Sequence, residues 1–143
     1  MRGRLCAGIA VMAAAVALGC GDDQDESVSK EAFIAEANRI CAKSARAIEE
    51  AAGEVLGKDG PTPAELRRFA VEVVAPGAEE QVDGIAALAM PEGDEEELER
   101  ILSRAREGID ALREDPGSLE SGPPELDAAA REIGEYGVAR CAE

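Results

Sequence analysis

The chain has 143 residues, enough for one domain, and its 31 acidic and 15 basic side chains give a formal net charge of −16. Such an acidic chain repels phosphate backbones, which argues against nucleic-acid binding. The absence of histidine excludes Ser-His-Asp and Cys-His nucleophiles, histidine-ligated zinc and c-type haem attachment. With two Phe, one Tyr and no Trp, the core must consist of Leu, Ile, Val and Ala, which suits close-packed helices.

Residues 1–19 are predicted to be a lipoprotein signal peptide. Arg2 and Arg4 precede a largely apolar segment, Leu5 to Leu18. As a helix this segment would rise about 21 Å, which is too short for a hydrocarbon core of about 30 Å and typical of a signal peptide. The residues that end it, "ALGC", resemble a bacterial lipobox, although the usual pattern places Leu before the small residue and here Ala precedes Leu.

The lipobox resemblance implies that Cys20 receives a diacylglyceryl group and becomes the mature N-terminus, often acylated as well. Two or three acyl chains anchor a protein stably to a membrane, whereas one chain holds it only marginally. Residues 20–28, which include "GDDQDES", would then form an acidic flexible tether. The alternative is an ordinary secretory peptide cut nearby, with Cys20 left as a free thiol.

The remaining cysteines predict one disulfide. Cys6 would be discarded with the signal peptide and Cys20 would carry lipid, which leaves Cys41 and Cys141 in an exported domain. A redox-active pair is disfavoured because the chain has no C-x-x-C motif and no histidine to activate a thiolate.

Two helices are predicted in the first half of the domain. The first runs from Lys30 to about Leu56, with Ser29 as its N-cap and an apolar stripe at helical spacing. The second opens with a capping box at "TPAE". Pro76 and Gly77 interrupt its apolar pattern, which predicts one kinked helix in preference to two short ones.

Two further helices complete the predicted fold. Asp94 is expected to cap the third helix, in which Glu96 and Arg100 have the spacing of an intrahelical ion pair. After the loop "EDPGSLESGPP", apolar residues from Leu126 to Cys141 mark the last helix. No segment alternates with period two, so the prediction for residues 29–143 is an all-α, four-helix up-down-up-down bundle. Its first and last helices would be antiparallel neighbours, which would allow the two cysteines to meet.

Three segments resemble small secreted helical proteins and lipoproteins of actinobacteria. These are "SKEAFIAEANRICAKSARAI", "LAMPEGDEEELERIL" and "YGVARC". Many family members have Pro-Pro where this chain has Met90-Pro91. The resemblance implies the helical fold and the disulfide between the N-terminal and C-terminal cysteines, and it implies no activity.

The sequence therefore predicts a non-enzymatic envelope lipoprotein, anchored by lipid on the extracytoplasmic face of the cell membrane. It would bind an envelope protein partner through helix–helix recognition, without a cofactor or a resident metal. The alternative is an extracytoplasmic protein that binds a small molecule or a divalent cation. Two acidic groups could hold Ca²⁺ loosely, but neither has EF-hand spacing; they are Asp22, Asp23, Asp25 and Glu26, and the run Asp94 to Glu97.

Two adjacent glutamate pairs, Glu49-Glu50 and Glu79-Glu80, carry the carboxylates that acid–base catalysis could use. Adjacent residues on a helix point about 100° apart and do not share a site. No catalytic residue is predicted.

Overall fold

The computed structural model describes residues 28–55 and 60–143, and within these ranges the chain is helical and contains no strand. The predicted all-α fold is confirmed. A π-helical turn, Ala70–Val74, joins the second helix to the third, so that four helical rods result. The helices are α1 Lys30–Val55, α2 Pro63–Phe69, α3 Ala75–Ala86, α4 Glu95–Glu114 and α5 Pro124–Tyr136.

Side-chain caps fix two of the helix starts as predicted. The Ser29 hydroxyl accepts a hydrogen bond from the backbone N–H of Ala32 at 3.2 Å. Thr62 and Glu65 form a reciprocal capping box, with Pro63 in the first turn of α2. Each arrangement satisfies N–H groups that lack a partner inside the helix.

The prediction that the Asp94 side chain caps α4 is wrong. Asp94 occupies the N-cap position, but its carboxylate makes no capping hydrogen bond and instead accepts one from the Tyr136 hydroxyl. The expected pair between Glu96 and Arg100 is also replaced, because the Arg100 guanidinium contacts Glu132 of α5 at 2.8 Å.

The irregularity predicted near Pro76 is present as the π-helical turn, and the rod continues through the proline without a break. Proline has no N–H to donate and its ring crowds the preceding helical turn. A wider turn placed directly before Pro76 accommodates both constraints.

The rods pack in sequence, with α1 against α3, α3 against α4, and α4 against α5. Glycines allow α1 to approach α3 closely: a Cβ at Gly77 or at Gly84 would lie within 3.3 Å of Ile48 or Ile40, respectively. The Ser44 hydroxyl of α1 donates to the Gly77 carbonyl of α3 at 3.0 Å, so this polar side chain has a partner across the contact.

One apolar core lies between the rods. It contains side chains from every rod, and those of α4 are the most numerous. Val28, predicted as the last tether residue, packs against this core. The largest fully buried side chains are Phe33, Leu98, Ile101, Ile109, Leu112, Val138 and Cys41.

The C-terminal end differs from the prediction in its local structure. Helix α5 ends at Tyr136, because Gly137 adopts a φ of +123°, which is left-handed and favours glycine. Residues Ala139–Cys141 form a 3₁₀ turn that contacts α1. The backbone of α1 therefore packs against this turn, and the expected side-by-side contact with α5 along its length is not made.

The disulfide joins this turn to α1. Cys41 and Cys141 are bonded, with their Cα atoms 5.2 Å apart and their positions separated by 100 in sequence. The backbone N–H of Arg140 also donates to the Asn38 side-chain oxygen at 2.8 Å. The predicted cysteine pair is correct, although Cys141 lies in the turn and not in the last helix.

Candidate functional site

The described part of the chain contains a partly open apolar groove of about 200 Å³ between α3, α4 and α5. Its floor reaches the core at Ile101 and Leu102, which are almost fully buried. The walls come from α3 and α5, and they are Ala78, Gln81, Val82, Ile85, Leu126, Asp127, Ala129, Ala130 and Ile133. This groove, called the α3–α5 groove below, is the strongest candidate for a binding site in the described residues.

Small side chains create the groove. Helix α5 contributes Ala129 and Ala130 to it, the last two of three consecutive alanines, and Ala78 lies on the opposite wall. Two residues before this run, at the start of α5, Leu126 meets Gly108 of α4, which allows the two helices to approach closely, since a Cβ at Gly108 would lie 2.6 Å from Leu126. Helices α4 and α5 thus pack tightly at Leu126, while the alanines leave space toward α3.

Two polar side chains lie among the apolar groups that line the groove, Gln81 from α3 and Asp127 from α5. Asp127 is in the first turn of α5, where the helix dipole stabilises a negative charge. The loop before α5 packs on this carboxylate: a Cβ at Gly122, which has a φ of +73°, would lie 2.8 Å from Asp127 Oδ2. The groove therefore presents one anionic group and one neutral amide.

Cys141 also lines the groove. Its disulfide with Cys41 holds the C-terminal turn in place, so this bond fixes part of the groove wall. The two cysteines consequently serve the site as structural groups.

A second polar cluster joins three parts of the fold away from the groove. The Tyr136 hydroxyl donates to Asp94 Oδ2 at 2.6 Å, and the Lys30 ammonium lies 3.3 Å from the same oxygen. That ammonium is also 3.8 Å from the centre of the Tyr136 ring, in cation–π contact. Phe33 meets Tyr136 edge to face, with ring centres 5.9 Å apart.

The environment of this cluster shifts two pKa values. Hydrogen bonds from Tyr136 and Lys30 lower the pKa of Asp94. Burial, together with the hydrogen bond to Asp94 and its negative charge, raises the pKa of Tyr136. The neutral phenol of Tyr136 donates to the Asp94 carboxylate, and the Lys30 ammonium contacts both that carboxylate and the tyrosine ring. The cluster therefore connects α1, the start of α4 and the end of α5 and is structural.

The side chains of the adjacent pair Glu79 and Glu80 contact different helices. Glu79 contacts Arg113 of α4, whereas the adjacent Glu80 contacts Lys43 of α1 at 3.3 Å. Glu49 and Glu50 are exposed on α1. The diverging partners of Glu79 and Glu80 agree with the angle expected between adjacent helical residues.

The acidic run at the start of α4 does not form a cation site. Asp94 contacts Tyr136 and Lys30, and the Glu95 carboxylate accepts from the backbone N–H of Gly93 at 2.7 Å. Across residues 28–55 and 60–143, no group of three or more acidic or cysteine side chains converges as metal ligands. The other acidic group, Asp22 to Glu26, lies outside the described residues, as do Cys20 and residues 1–19, the predicted signal peptide.

No helix in the described ranges combines the length and the hydropathy that crossing a membrane requires. Comparisons of the chain with protein-family models, curated proteins and solved structures found no match.

The sequence pattern did not indicate the α3–α5 groove. An alanine at an inward-facing helical position has the same spacing in the sequence whether a side chain of the neighbouring helix fills the volume beside it or leaves a groove there. The run Ala128 to Ala130 beside the acidic Asp127 was the one available signal. Gln81 and Asp127 are the polar groups of the site that sequence reasoning missed.

Proposed function

We propose that this protein is a non-enzymatic binding module of the bacterial envelope, anchored to the extracytoplasmic face of the membrane through lipid on Cys20. The charged n-region, the short apolar segment and the "ALGC" border support the anchor, as does the resemblance to actinobacterial lipoproteins. The module binds an apolar group, from a small molecule or from a side chain of an envelope protein, in the α3–α5 groove.

The observation that carries the binding role is the apolar groove of about 200 Å³ that opens onto the surface beside Asp127. Ligand sites in proteins are concave and mostly apolar, with a few polar groups that orient the ligand. The groove has this composition, and neither it nor the cluster around Asp94 presents a nucleophile with an activating base. The composition of the groove supports the proposal of a binding role.

Binding can be measured directly with indole, because the chain contains no tryptophan and the fluorescence of the ligand is therefore free of protein background from that residue. Transfer of indole from water into an apolar groove shifts its emission to shorter wavelength. We expect saturable binding to the full chain, and loss of that binding in Ala130→Phe, which places a ring in the groove.

Ala35→Phe is the matched control, because Ala35 is exposed on α1 and does not line the groove. It should bind indole as the wild type does, and both variants should keep the wild-type circular dichroism spectrum. Equal indole binding by Ala130→Phe and the wild type would overturn the assignment of the binding role to this groove.

The anchor is tested by the intact mass of the protein made in a GC-rich bacterial host. A product that begins at Cys20, carries added acyl mass and gains two alkyl groups only after reduction is expected. A non-acylated product, with or without its first 19 residues, would refute the lipoprotein assignment.

A further inference from the structure

We propose that the α3–α5 groove selects small cationic amphiphiles, molecules with an apolar body of about the size of an indole ring and a positively charged tail. This proposal rests on the proposed function and specifies the chemical class of ligand that the groove accepts. Three features support it: the size of the groove, the charge at its rim and the position of that charge.

The groove is suited to a small ligand. Its volume is about 200 Å³, whereas sites for drug-sized molecules are typically about 300–1,000 Å³. An engineered apolar cavity of about 150 Å³ is known to hold benzene. One aromatic ring system therefore fits in the groove, and a short tail attached to it would extend toward the open side.

The charge at the rim favours a cationic tail. Asp127 is the one ionisable side chain among the groups that line the groove, and Gln81 supplies a neutral amide across from it. The acidic chain, with its formal net charge of −16, also attracts cations from solution and repels anions. A cation can approach Asp127 while its apolar body contacts Ile101 and Leu102.

The position of Asp127 holds its carboxylate in place beside the groove. It lies in the first turn of α5, where a negative charge is favoured, and the loop at Gly122 packs against it. Asp127 also lines a neighbouring surface depression, together with Arg131, one turn further along α5, and with Glu135 and Glu143. Neither Arg131 nor another basic side chain lines the groove itself.

The test uses three ligands that share an indole ring and differ in the charge of the tail: tryptamine, tryptophol and indole-3-acetate. Fluorescence titrations use the full chain in phosphatidylcholine nanodiscs, with Ala130→Phe as the blank for partitioning into lipid. We expect tryptamine to bind about two- to fivefold more tightly than tryptophol, the range for a solvent-accessible ion pair, and indole-3-acetate to bind most weakly. Raising the salt concentration should reduce these differences.

Asp127→Asn separates the charge from the shape of the groove, since the amide has nearly the same size. It should lose the preference for tryptamine over tryptophol, and Asp127→Glu should retain that preference. Equal binding of the three ligands by the wild type, or an unchanged preference for tryptamine in Asp127→Asn, would overturn the proposal. In either case, the proposed function would stand if the wild type binds indole and Ala130→Phe does not. If the wild type failed to bind indole, the proposed function and the preference for cationic ligands would both be overturned.

Discussion

Gly108 is the position where a single methyl group should most clearly disturb the packing of the domain. It is buried in α4, and a Cβ there would lie 2.6 Å from both the backbone nitrogen and the Cγ of Leu126, at the start of α5. A backbone atom cannot move aside as the end of a flexible side chain can. We therefore expect Gly108→Ala to push α5 away from α4.

The magnitude follows from two opposing effects. Replacing glycine by alanine inside a helix stabilises it by about 1 kcal/mol. Overpacking a core typically costs about 1–3 kcal/mol, and the backbone contact at Leu126 places this substitution at the upper end. Gly108→Ala should thus lower the free energy of unfolding by about 2 kcal/mol, or the melting temperature by roughly 8 °C for a domain of this size.

The matched control is Gly53→Ala in α1. Gly53 is exposed and no atom lies within 4 Å of the position of its Cβ, so only the gain in helix propensity applies. The variant should be more stable than the wild type by about 1 kcal/mol. Chemical and thermal unfolding, followed by circular dichroism, measure both effects. If Gly108→Ala were as stable as Gly53→Ala, the close approach of α4 and α5 would be refuted.

Three further predictions concern the disulfide and the Asp94 cluster. Cys141→Ser should lower the free energy of unfolding by up to about 4 kcal/mol, because it opens a loop of 100 residues; an unchanged urea midpoint would contradict this. The pKa of Tyr136 is raised, so its neutral phenol stabilises the fold fully below about pH 10, the ordinary tyrosine pKa. This stabilisation is lost as the pH rises from there through the higher folded pKa. The advantage of the wild type over Tyr136→Phe, about 1 kcal/mol at neutral pH, should therefore shrink in alkaline denaturant titrations, and a constant difference would argue against the bond to Asp94. The pKa of Asp94 is lowered, so its ionised carboxylate should stabilise the fold fully above the ordinary carboxyl pKa of about 4, and this stabilisation should be lost as the pH falls through the lower folded pKa. The stability difference between the wild type and Asp94→Asn should therefore narrow in an acid titration. A difference that persists at the acid end would contradict the prediction.

The features that the sequence predicted correctly depend on neighbouring residues or on simple counting. The starts of α1 and α2 follow from Ser29, Thr62 and Glu65, whose partners lie within one helical turn. The disulfide follows because only two cysteines remain once the leader and its border are set aside. The all-α class follows from apolar spacing along the whole domain.

The features that it missed depend on residues far apart in the chain. Asp94 has the local pattern of a helix cap, but Tyr136, 42 residues away, takes its carboxylate. The apolar period continues from Ile133 to Cys141, and only the backbone conformation of Gly137 ends α5 earlier. The groove depends on the distance between α3 and α5, and the local sequence pattern of neither helix predicts that distance.

The disulfide also determines what a protease can do to this domain. The bond joins the first helix to the last turn, and the connections between the rods, such as residues 115–122, all lie inside the ring that it closes. A single peptide-bond cleavage in one of them would leave two fragments that remain covalently attached and folded against the same core. The nicked protein would run as one band until it is reduced, and the cut alone would not release either half from the molecule.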